Sequence, residues 1–122
     1  MTYNRDGNAV AYDFIIEQGA TLALNFTYKN SSDESLITEG TTARMKIKNR
    51  VGGTLLETFT TENGRISLTP ASGLVAISMT ATDTAAISAW DRGVYDLELE
   101  DSAGTVKRLL KGVVTLSKEI TD

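Results

Sequence analysis

The chain has 122 residues, 41% apolar and 23% charged, with a net charge of −4 and a pI near 4.8. One domain is the expectation at this length. Cys and His are both absent, which excludes disulfide scaffolds and thiolate chemistry and removes the commonest general base and transition-metal ligand. A mildly acidic chain lacks the footprint of a nucleic-acid binder. No apolar run reaches the roughly 20 residues that span a bilayer, so no membrane insertion is expected.

Residues 1–10, MTYNRDGNAV, are polar and lack the basic-then-apolar layout of a secretion signal. They read as an N-terminal arm or an extra edge segment, with Tyr3 and Arg5 as candidate partner contacts. The single domain is expected over 11–122. "AYDFIIE" before Gly19 reads as a first strand. In "ATLALNFTY", Leu22, Leu24, Phe26 and Tyr28 alternate with polar residues, the period-two signature of a half-buried strand. "NSSDES" is a polar loop. "TARMKIK" alternates Ala43, Met45 and Ile47 with Arg44, Lys46 and Lys48. "RVGGT" lacks the spacing and the Lys of a phosphate loop and reads as a turn.

Asn63-Gly64 predicts a two-residue type I′ hairpin, because both residues tolerate positive φ. "PASG" predicts another turn, and its Pro70 is the only proline, outside every expected strand as a ladder requires. "GLVAISMT" is the next strand. "TATDTAAI" is the one helical stretch: Thr80 caps it, Asp83 completes a capping box, and Ala85, Ala86 and Ile87 form its apolar side. "SAWDRG" follows, with Trp90 and Arg92 either anchoring a partner, as Trp and Arg do at hot spots, or plugging the end of the fold.

In "GVYDLELE", Tyr95, Leu97 and Leu99 alternate with Asp96, Glu98 and Glu100. The three carboxylates share one face, but same-face neighbours stand nearly 7 Å apart, and calcium is usually wrapped by loops. A metal site is therefore disfavoured. The better partner is the Arg44, Lys46, Lys48 row: in an immunoglobulin order the third strand pairs antiparallel with the sixth, and facing opposite charges stabilise a ladder by a few tenths of a kcal/mol each. Tyr95 matches the tyrosine corner of such sandwiches, its hydroxyl directed back to the backbone of the helical crossing; the plainer reading is a strand aromatic. "DSAG" closes the last hairpin. "TVKRLLKGVVTLS" is the last strand, with Gly112 as a candidate bulge.

The sum is an all-β chain, an immunoglobulin-like antiparallel β-sandwich of seven or eight strands with one short helical crossing near 81–88; a closed barrel is the alternative. With no base for a Ser nucleophile and no nucleophile elbow, no enzyme activity, catalytic residue, metal or cofactor is expected.

"TENGRISL", "GLVAISMTATDTAAI" and "RGVYDLELEDSAGTVKRLLKGVVTLS", with "DFIIEQGATLALNFTY" and "TARMKIK", resemble bacteriophage and prophage tail proteins. The layout is similar to the immunoglobulin-like N-terminal domain of phage baseplate upper proteins, from about Asp13 to Ser117. The resemblance implies a structural virion protein of the tail or baseplate, made in the host bacterial cytoplasm and present in several copies. It would join tail parts or fibres through protein–protein contacts. Baseplate upper proteins usually continue into a long C-terminal extension, whereas this sequence ends at Asp122. That favours an adaptor, with a capsid decoration protein as the nearer alternative and a small glycan-binding module as the more distant one.

Overall fold

The computed structural model describes residues 2–4, 9–87 and 90–120, with side chains from residue 9 onward. Among the described residues there are ten strands, arranged in two sheets, and one helix. In chain order they are β1 (Thr2–Asn4), β2 (Val10–Ala11), β3 (Phe14–Glu17), β4 (Leu22–Lys29), β5 (Thr42–Lys48), β6 (Leu55–Thr60), β7 (Ile66–Thr69), β8 (Leu74–Met79), α1 (Ala81–Ala85), β9 (Arg92–Glu100) and β10 (Val106–Ser117). One sheet has the order β1-β4-β8-β7; the other runs β2-β10-β9-β5-β6, with β3 also on β10. This is a β-sandwich. Its central strands follow the immunoglobulin order, β4, β8 and β7 standing as B, E and D, and β10, β9 and β5 as G, F and C.

Alternation builds the core. Leu22, Phe26 and Tyr28 of β4 and Val75, Ile77 and Met79 of β8 face inward from one sheet. Met45, Ile47, Phe59, Leu97, Val114 and Leu116 meet them from the other. Each fully buried Leu or Ile contributes about 2 kcal/mol, so a one-residue register slip, which would turn a whole strand inside out, is strongly disfavoured.

The count exceeds seven or eight because the N-terminal region is itself paired. Thr2–Asn4 lies parallel to Thr27–Lys29 as an edge strand. The expected first strand is split into β2 and β3, both parallel to β10. Gly112 explains the split. A methyl at this position would overlap the Tyr12 carbonyl. The Tyr12 amide donates to the Lys111 carbonyl at 2.8 Å, and the Val113 amide to Asp13 Oδ1 at 2.8 Å. Gly112 is thus a point of close backbone approach, paired in regular register with Tyr95. The bulge falls at Leu109 instead, where the register against β9 shifts between Arg108 and Leu110, so that Leu109 and Leu110 are both buried.

Three further expectations are corrected. Asn63-Gly64 does not close a hairpin: β6 and β7 belong to different sheets. Gly64 has φ +80°, but Asn63 is not in the positive-φ region that a type I′ turn requires at both positions. Asn63 works through its side chain, its Oδ1 accepting from the Thr60 and Arg65 amides at 3.0 Å each. In α1, Thr80 Oγ1 does accept from the Asp83 amide at 3.1 Å, but the Asp83 carboxylate accepts from Arg65 at 3.2 Å. The buried side of the crossing is Thr84 and Ile87, with Ala85 and Ala86 exposed. Thr84 faces inward because its hydroxyl has partners there, accepting from the Gly19 amide at 3.1 Å and lying 2.8 Å from the Ala20 carbonyl.

Candidate functional site

The outer face of the six-stranded sheet is built by register. β5 lies antiparallel to β9 with Thr42 opposite Glu100, Arg44 opposite Glu98 and Lys46 opposite Asp96, so the basic and acidic rows face each other as expected. Arg44 Nε reaches Glu98 at 3.1 Å and its Nη1 reaches Glu100 at 3.0 Å. Those two hydrogen bonds, Glu100 first, hold the guanidinium above its ordinary pKa.

A second basic row flanks the carboxylates from the other side. β10 places Arg108 opposite Glu98 and Lys111 opposite Asp96, and Arg108 Nε lies 3.3 Å from Asp96. Strict alternation would put Arg108 and Lys111 on opposite faces. The bulge at Leu109 adds one residue, so these two cations, three apart in sequence, share the outer face. The acidic strand is therefore the middle of a cation–anion–cation ribbon.

The ribbon floors a hollow of about 630 Å³ that extends to the β5–β6 turn. Six cations line it, Arg44, Lys46, Lys48, Arg50, Arg108 and Lys111, against only two carboxylates, Asp96 and Glu98. Among the described residues, Lys46, Lys48, Arg50 and Lys111 form no ion pair. Counting Glu100, which binds Arg44, a local excess of three positive charges sits on a chain whose net charge is −4. Its apolar lining includes Ala11, Val94 and Val113. Such a surface attracts anionic groups and offers alkyl stems for packing.

Beneath it, the Tyr95 hydroxyl donates to the Tyr12 carbonyl. The corner expectation is corrected here: the hydroxyl ties β9 to the β2–β3 junction and not to the helical crossing. Burial pushes its pKa well above the ordinary 10.0, with Tyr12 and Asp13 adding to the shift. Phe14 packs edge-on against the Tyr95 ring at 5.1 Å, and Tyr12 against Phe26 at 5.2 Å.

Of the candidate partner residues, Trp90 and Arg92 do not line the hollow. Trp90 is buried, 8% exposed, and belongs to the core, so it plugs the sandwich and is not an exposed anchor. Arg92 is exposed at the start of β9, opposite Thr115. The Tyr3 backbone pairs with Tyr28, and Arg5 lies outside the described residues. Sequence reasoning did not single out Arg65. It bridges Glu57 at 3.0 Å and Asp83 at 3.2 Å, donates to the Thr58 carbonyl at 3.1 Å and lies over the Phe59 ring at 5.4 Å. It clamps β6 to the helical crossing. No cluster of potential metal ligands occurs among the described residues, and none of their helices is long and apolar enough to cross a membrane.

The chain matches no known protein-family model, and no curated protein sequence matches it.

Proposed function

We propose that the protein is a non-enzymatic structural component of a phage virion, a tail or baseplate adaptor that works through protein–protein contacts. The carrying observation is the charged hollow on the six-stranded sheet, where four cations have no ion-pair partner among the described residues. A surface of this kind suits electrostatically steered docking of another protein. The virion assignment is supported by the resemblance of "TARMKIK" and "RGVYDLELEDSAGTVKRLLKGVVTLS" to phage tail proteins. Fold alone would support many functions.

Antibodies raised against the purified chain, with gold labelling of purified phage particles, test the proposal. Label at the tail tip is the expected result. Label spread over the head would replace the tail role with capsid decoration. Unlabelled particles, or a glycan array with clear hits from the isolated chain, would overturn the adaptor reading.

A further inference from the structure

The hollow has a counterpart at the opposite end of the same sheet. β5 begins at Thr42 and β9 ends at Glu100, directly opposite it. The Glu39-Gly40 turn lies against the β9–β10 turn, where a methyl on Gly40 would stand 3.3 Å from Ser102 Cβ. Thr61, whose amide donates to the Ala43 carbonyl at 3.1 Å, brings Glu62 to the same end. Glu39 and Glu62 are exposed, Glu62 accepting from the Thr61 hydroxyl at 2.9 Å, and Asp101 is half-buried in the β9–β10 turn, its Oδ1 accepting from the Ala103 and Thr105 amides at 2.9 Å each. Among the described residues, these three carboxylates form no ion pair. At the other end stand Lys48 and Arg50 with the β5–β6 turn.

The sheet is therefore polarised along its strands, with an acidic tip at one end and a basic hollow toward the other. Thr42 and Lys48 are six residues apart, about 20 Å along a strand. That exceeds the roughly 8 Å screening length at physiological salt, so the tip carboxylates do not neutralise Lys48 and Arg50, while Arg44, the lining cation nearest the tip, is already held by Glu98 and Glu100. A neighbouring molecule can bring them together. The hollow, about 630 Å³, is larger than a single small anion needs and suits a protruding turn.

We infer that the hollow receives the acidic tip of a second copy of this chain, so that copies join head to tail. The two patches differ, so the contact is heterologous and propagates as a ring or an open filament according to the rotation between neighbours. The inference rests on the reading of this face as a contact surface, and it does not depend on the virion assignment.

Sedimentation of the full chain at about 50 mM and about 500 mM salt, where screening differs severalfold, tests it. Concentration-dependent oligomers at low salt that dissociate at high salt are expected. The Lys46→Glu/Lys48→Glu chain and the Glu39→Lys/Glu62→Lys chain should each associate about 100-fold more weakly, with melting curves confirming that both fold. Mixing the two variants should restore association, because each reversed patch then meets its complement. A wild-type chain that stays monomeric at low salt overturns the inference, as does association that neither variant weakens or that mixing fails to restore. A monomeric chain that still labels phage tails would remove this inference and leave the proposed function standing.

Discussion

The two sheets of this sandwich share one inner chemistry and differ on their outer faces. The four-stranded sheet turns Ala23, Asn25, Thr27, Ser67, Thr69, Ala76 and Ser78 outward, small or medium-sized and uncharged, with charge only at the end of β4, where Lys29 pairs with Asp33. The six-stranded sheet turns out Arg44, Lys46, Lys48, Asp96, Glu98, Glu100, Arg108 and Lys111. Inward, both present Ile, Leu, Val, Met and Phe. Stability is therefore not what distinguishes the sheets, because exposed ion pairs contribute only about 0 to 1 kcal/mol each. The charges specify how strands pair and what approaches the face, while the buried side chains supply the free energy.

Substitutions in the shared interior should have the largest effects. Ile77→Ala in the four-stranded sheet and Leu97→Ala in the six-stranded sheet, both buried, should each cost about 3 kcal/mol in denaturant unfolding. A marked asymmetry would show that one sheet carries the fold. Gly112→Ala should cost about 2 kcal/mol through the overlap with Tyr12, measured by thermal unfolding; an unchanged midpoint would refute the close-approach role.

Next in size is the Tyr95 hydroxyl. Tyr95→Phe removes its bond to the Tyr12 carbonyl and should cost about 1 kcal/mol. The same group has a pH signature. Its folded pKa is raised above the ordinary 10.0, so above that pH the unfolded chain releases the proton first and stability falls as pH rises toward the folded value. Wild type should thus lose stability more steeply above about pH 10 than Tyr95→Phe does; parallel slopes would sink the assignment.

The outer faces should give the smallest effects. Arg44→Ala breaks two ion pairs that are partly exposed and should cost about 0.5 kcal/mol at low salt, less at high salt. Lys46→Glu places a carboxylate opposite Asp96 and should cost a similar amount. On the neutral face, Asn25→Ala and Ser78→Ala should stay within about 0.5 kcal/mol and show no salt dependence. A salt-independent Arg44→Ala would dissolve the contrast between the faces.

Local pattern alone revealed the alternating strands, the basic and acidic rows of β5 and β9, the Thr80 cap and the turns at Gly52, Gly73 and Gly104, whose φ values are +72°, +72° and +87°. These rest on side-chain period and on residues that accept unusual backbone angles, and both are written in a few consecutive residues. Tertiary structure alone decided that Leu109 and not Gly112 is the bulge, because Gly112 is shaped by Tyr12, a hundred residues earlier. It also decided that Asn63-Gly64 crosses between sheets, that Thr84 faces inward and that Trp90 is covered. The basic hollow belongs to the same class. Its cations come from β5, the β5–β6 turn and β10, and only strand order and a one-residue bulge bring "TARMKIK" and "VKRLLK" to the two sides of one acidic strand.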